Sequence, residues 1–218
     1  MDTKPSYPVR GTFRPNYGEG VSAQPFINNG GEVLVAPALP PYAQIVSRGD
    51  SWWASTTTAA APVTAIPTTA ALIGLWNGDD EKSYIIDSAF VVVVVATAAV
   101  QAHGLMANIS TSPVLAALAN TITVRNLFAN RPYAGNARVA VGITLDAANG
   151  VAANWMQLGT SVSATNTTQV GEQNDIDIGG KIILPPNGQL ALTVLAGAAT
   201  ASSLQLGFRW HEVRLPAI

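Results

Sequence analysis

The feature that most constrains the fold is the C-terminal third. In Leu204–Glu212 the large apolar residues Leu204, Leu206, Phe208 and Trp210 alternate with Gln205, Gly207, Arg209 and His211, so each set falls on one face of a pleated strand. The predicted strand is Leu204–Val213; upstream, Lys181–Leu184 and Gln189–Leu195 read as further strands on either side of Pro185-Pro186-Asn187-Gly188, a strong turn signal. This is the wall of a β-sandwich or barrel.

The pattern continues towards the N-terminus. Strands are predicted near Ala43–Ser47, Ser51–Thr57, Ala70–Trp76, Ser83–Thr97, Thr121–Leu127, Ala137–Leu145 and Asn154–Leu158. Asn77-Gly78-Asp79-Asp80 and Asn149-Gly150 read as hairpin turns, and Pro113–Asn120 as one short helix. Ten short strands with almost no helix predict an all-β fold, an antiparallel β-sandwich of jelly-roll type. The run Ala89–Val100 (AFVVVVVATAAV) is far shorter than the roughly 20 residues of a membrane-spanning helix. Its valines favour a strand, and unbroken apolarity predicts cover on both faces.

Residues 1–41 are different. Seven of the 14 prolines (Pro5, Pro8, Pro15, Pro25, Pro37, Pro40 and Pro41) fall there, among several glycines. Proline cannot donate to a sheet ladder and glycine is costly to order, so the segment reads as an extended N-terminal arm with one short strand at Glu32–Ala36. The sandwich is assigned to residues 42–218. The arm's aromatic side chains, Tyr7, Phe13, Tyr17 and Phe26, are the candidate interface residues, because a mere spacer does not need them.

Charge bears on function. Only 11% of residues are charged, against roughly 25% in an ordinary soluble domain. A surface so poor in charge predicts contacts with other subunits. The net charge of −2 gives no electrostatic footprint for nucleic acid, and the lack of cysteine removes disulfides and thiolate metal sites. Met1–Arg10 lacks the basic stretch and apolar run of a secretory signal, so the sequons at Asn108 and Asn166 carry little weight and synthesis in a host cytoplasm is expected.

Catalytic material is sparse. His103 and His211 lie in no nucleophile or metal motif; His211 reads as a surface or interface residue and His103 as a strand end. The acidic clusters Asp79-Asp80-Glu81 and Glu172-Gln173-Asn174-Asp175-Ile176-Asp177 lack EF-hand spacing and read as solvated turns. No enzyme, cofactor or metal site is predicted. Trp52 and Trp53 are the candidate glycan contacts, and their adjacency on a strand sends one inward and one outward.

An arm followed by ALIGLWN, a polar turn, KSYIIDSAFVVVVVA and the closing ILPPNGQLALTVLAG and LGFRWHEV segments resembles the jelly-roll virion proteins of tailed bacteriophages, which decorate capsids or form head fibres and spikes. The resemblance implies a non-enzymatic virion protein, a homotrimer contacting a major capsid or other virion protein, with no nucleic-acid or membrane partner. Two alternatives stay open: a carbohydrate-binding attachment module that recognises host glycan, and a major jelly-roll shell protein of a small virus. A cupin-like enzyme would need more histidines than two.

Overall fold

A computed structural model of the chain describes residues 43–95, 101–111, 122–129, 132–147, 151–163, 173–196 and 202–214. Residues 1–41, the expected helix at Pro113–Asn120 and the Asn149-Gly150 turn lie outside the described residues.

The described strands are β1 (Ser51–Ser55), β2 (Ala70–Trp76), β3 (Ser83–Val95), β4 (Gln101–Ser110), β5 (Arg125–Asn126), β6 (Arg138–Thr144), β7 (Trp155–Ser163), β8 (Gln173–Leu184), β9 (Gln189–Ala196) and β10 (Ser203–Val213). They form two five-stranded antiparallel sheets, ordered β5-β1-β10-β3-β8 and β6-β2-β9-β4-β7. Four ladders are nested, β1 on β10, β2 on β9, β3 on β8 and β4 on β7. Nested pairing is a long antiparallel ribbon rolled so that successive stretches fall into opposite sheets, which is the winding of a jelly roll. Strands β5 and β6 extend the two sheets beside β1 and β2.

This winding corrects the reading of the turns. Asn77-Gly78-Asp79-Asp80 joins β2 to β3, and Pro185–Gly188 joins β8 to β9; in each case the two strands belong to different sheets, so neither connection is a hairpin. The chemistry of Pro185–Gly188 still decides its shape. Gly188 N donates to Pro185 O at 2.8 Å and Asn187 takes φ 65°, the type II geometry that favours Pro before Asn. Buried Asn77 ties the two corners together: its Nδ2 donates to Lys82 O (2.8 Å) and Leu184 O (2.9 Å), and its backbone exchanges hydrogen bonds with Asn187 and Gly188.

Between the sheets, Tyr84, Ile86, Val91, Val93, Leu206, Phe208 and Trp210 from one meet Ile73, Leu75, Leu105, Val139, Leu190 and Leu192 from the other. Each such side chain contributes roughly 1.5–3 kcal/mol on burial. The valine run is covered unequally. Val91 and Val93 are buried, Val92 and Val94 half-buried, and Val95 is exposed.

Three further expectations change. Ala43–Arg48 is a short helix, α1, rather than a strand; Gly49 at φ 84° ends it, with its N–H returned to Val46 O. Strand β5 keeps two residues of the predicted Thr121–Leu127. Strand β4 and the first two-thirds of β8 lie outside the predicted strands, and β4 places His103 inside a strand and buried, where its Nε2 meets Ser202 Oγ at 3.2 Å.

Candidate functional site

Strand β10 organises the polar residues of its sheet, because its register sends Trp210 and Glu212 inward and Arg209 and His211 outward. At the inward end, Glu212 is buried and its carboxylate accepts from Lys82 Nζ (3.1 Å) and from Tyr133 Oη (2.7 Å). Tyr133 Oη also accepts from Ala137 N (2.8 Å) and lies 3.3 Å from Tyr84 Oη. Since the Tyr133 proton goes to Glu212, Tyr84 is the donor of that last bond. The Tyr133 ring meets Trp52 edge-on at 4.6 Å. Burial raises both tyrosines well above the ordinary phenol range. For Lys82, burial alone would lower the pKa, but the hydrogen bond to Glu212 and the charges of Glu212, Asp79 and Asp50 hold it above 10.5. The cluster is a charge-balanced clamp that fastens the segment between β5 and β6 onto β10.

His211 is the residue most misread from sequence. It is buried, and its Nδ1 lies 2.8 Å from Asp87 Oδ1. Asp87 is the extra residue of a β-bulge: Arg209 pairs with Ser88 and Trp210 with Ile86, while on the other side Ser88 pairs with Asp177 and Ile86 with Ile182. The two positive-φ glycines Gly179 and Gly180 let β8 follow that bulge. A bulge residue is invisible to a strict period of two, so the pair carried no sequence signal.

The outward face of this sheet holds the tryptophan in question. Trp52 faces inward and packs on the core, whereas Trp53 faces outward, opposite Arg209 on β10 and Arg125 on β5. Arg209 Nη1 donates to Ser88 Oγ (2.8 Å) and Asp175 Oδ2 (2.6 Å), and its guanidinium lies 5.0 Å from the centre of the Phe90 ring. Phe90 lies flat because the neighbouring strand offers Gly207; a Cβ there would come within 2.2 Å of the ring. The acidic clusters are placed differently from each other. Asp79 accepts from Glu81 N and Lys82 N within its own turn, and Asp175 and Asp177 stand exposed on β8. Among the described residues, no three His, Asp or Glu side chains gather where they could hold a metal ion. Tyr7, Phe13, Tyr17 and Phe26 lie outside the described residues.

No protein-family model and no curated protein matches this chain. Among solved structures it is similar to a chain of the full particle of Israeli acute paralysis virus heated to 63 degrees, with 10% identity, a TM-score of 0.29, and coverage of 99% of this chain and 89% of that one. It is also similar to a chain of Mud Crab dicistrovirus, with 10% identity, a TM-score of 0.20, and coverage of 100% and 92%. Both are virus particles, neither of them a tailed bacteriophage. Likenesses at these scores carry no argument about function, and the fold assignment rests on the strand order itself.

Proposed function

We propose that the chain is a non-enzymatic structural protein of a virion that self-associates and is anchored through its arm, residues 1–41, to neighbouring subunits or to a major capsid protein. The observation that carries this reading is a jelly-roll sandwich drawn from a sequence with 11% charged residues, on which Val95, Leu127, Phe128, Met156 and Ile183 are more than a third exposed. Large apolar side chains on a charge-poor surface are suited to repeated contacts between copies, and many weak contacts over a lattice sum to high avidity. The polar clusters fit the same reading, since the hydrogen bonds of Glu212, Asp87 and Arg209 serve to hold strands together. A decoration, cement or spike role, a homotrimer and a bacteriophage particle are the finer parts of the proposal, and they rest on the sequence resemblance.

In this mechanism Tyr7, Phe13, Tyr17 and Phe26 are the anchors, each gaining affinity by entering a cleft on the partner. Deleting residues 1–41 is expected to leave the circular-dichroism spectrum and cooperative unfolding of the sandwich in place while abolishing incorporation into particles. Incorporation at the full level would contradict the anchoring role. Counting copies per native particle separates a decoration or spike from a main shell protein.

A further inference from the structure

We propose that the outward face of the β1-β10-β3-β8 wall is a binding site for an uncharged saccharide, with Trp53 as its stacking platform. The register places Trp53 directly opposite Arg209 and Arg209 opposite Ser88, and the Arg209 guanidinium reaches across β3 to Ser88 and Asp175, so the indole and a fixed polar pair follow one another along one line across the wall. The guanidinium is held in place by the Phe90 ring beneath it and by Asp175, and the side chains of Arg209 and Asp175 remain 32% and 41% exposed. Both of its assigned bonds leave from Nη1, so the hydrogens on Nη2 and Nε are the donors that remain for a ligand hydroxyl. Asp175 and Asp177, both on β8 three strands from the indole, supply acceptors.

An aromatic face followed across the strands by a fixed pair of donor and acceptor groups suits a short oligosaccharide. The C–H face of one sugar stacks on the indole while hydroxyls of the next bridge arginine and carboxylate. Four strands at about 4.8 Å spacing set Trp53 and Asp177 roughly 14 Å apart, room for more than one sugar ring. Charge selects among occupants. Three cations of this face, Arg125, Lys181 and Arg209, stand against three carboxylates, Asp87, Asp175 and Asp177, so that with His211 neutral their charges cancel. A phosphate, a sulfated chain or a basic peptide would find no complementary field there. Rigid groups also lose little freedom on binding, which favours a weak, polar ligand.

The test applies labelled full-length protein to an array of galactose-, glucose- and mannose-terminated oligosaccharides, with sialylated and sulfated chains alongside. Binding to a class of uncharged glycans is expected, and Trp53→Ala should weaken it roughly tenfold, the worth of one ring contact, while Trp53→Phe retains part of it. Asp177→Ala, at an exposed position, should weaken the same binding several-fold with the melting temperature unchanged, which keeps the test valid if the tryptophan variant unfolds. No glycan above background, preference for the anionic chains, or binding indifferent to all three changes would overturn the proposal. So would capture at this face of a synthetic peptide of residues 1–41, lost in Trp53→Ala, without any sugar binding. Failure here leaves the virion assignment standing, because that is tested by incorporation.

Discussion

The two outer faces of the sandwich are finished in opposite ways. On the β6-β2-β9-β4-β7 wall, Ala71, Ala140 and Ala191 present small side chains, and the chain's own Ile143, Leu145 and Val151 pack with them, flanked by Trp76 and Trp155. The cover is pinned by Asn108 Nδ2 to Val151 O (2.5 Å) and by Trp155 Nε1 to Thr68 O (2.8 Å). The β5-β1-β10-β3-β8 wall instead carries large and polar side chains, Trp53, Phe90, Arg209 and Asp175, of which Arg209 is tied to Phe90 and Asp175, and the Arg209–Asp175 pair is still partly open. One topology therefore supports both a face closed within the chain and a face left partly open, and side-chain size on the central strands decides between them.

The comparison can be broken most directly by placing a charge on each face. Ala191→Asp, fully buried under the Val151 segment, should cost about 4 kcal/mol or more, because an unpaired carboxylate loses its water. Gln205→Glu on the opposite outer face, half-buried with its amide donating to Thr57 O, should shift stability by no more than about 0.5 kcal/mol. Equal losses in urea unfolding would mean that the faces do not differ in cover.

Asp87→Ala sharpens the contrast within the open wall. It removes one partner of buried His211 at the bulge, and a loss of about 3 kcal/mol is expected. A smaller effect follows from Tyr133→Phe, which takes a donor from Glu212 and an acceptor from Ala137 N and Tyr84, at a cost of about 1–3 kcal/mol. That clamp also fixes a pH dependence. Lys82, Tyr84 and Tyr133 all have folded pKa values raised above the ordinary 10.5 and 10.0, so the folded chain holds these protons more tightly than the unfolded one. Their stabilisation is complete below the unfolded values and is lost as pH rises past them. Urea midpoints should therefore decline above about pH 10, and less steeply in Tyr133→Phe; a level profile through that range would contradict the clamp.

Much of the sandwich was legible because its central strands alternate cleanly. Ala70–Trp76 is the strand predicted, and Gln189–Leu195 and Leu204–Val213 differ from β9 and β10 by one residue at one end. Strand β4 escaped because QAHGLMANIS places small residues beside large ones on both faces and so shows no period. The first two-thirds of β8 reads as a solvated acidic turn, although Asp175 and Asp177 alternate with buried Ile178 and half-buried Ile176 as an edge strand's exposed face does. Residues Ala43–Ser47 follow two prolines and precede a glycine, the punctuation of a short helix that outweighed their β-branched members. Turn residues announced where the chain bends but not whether it returns to the same sheet. That choice is made by packing across the core, which no local window contains.

The candidate site was legible only in part. The adjacency of Trp52 and Trp53 placed one ring outward, but Arg209, Phe90 and Asp175 come to it from β10, β3 and β8, a juxtaposition created by topology. The Asp87–His211 pair depends on a bulge and the Tyr133 clamp on an inter-sheet crossing, and neither leaves a spacing to be read.

On the proposed reading, so charge-poor a jelly roll is covered by copies of itself. Sedimentation equilibrium of the purified full-length protein puts this to the test: a defined oligomer is expected at moderate concentration, a trimer in the finer form of the proposal. A protein that stays monomeric up to its solubility limit would contradict it.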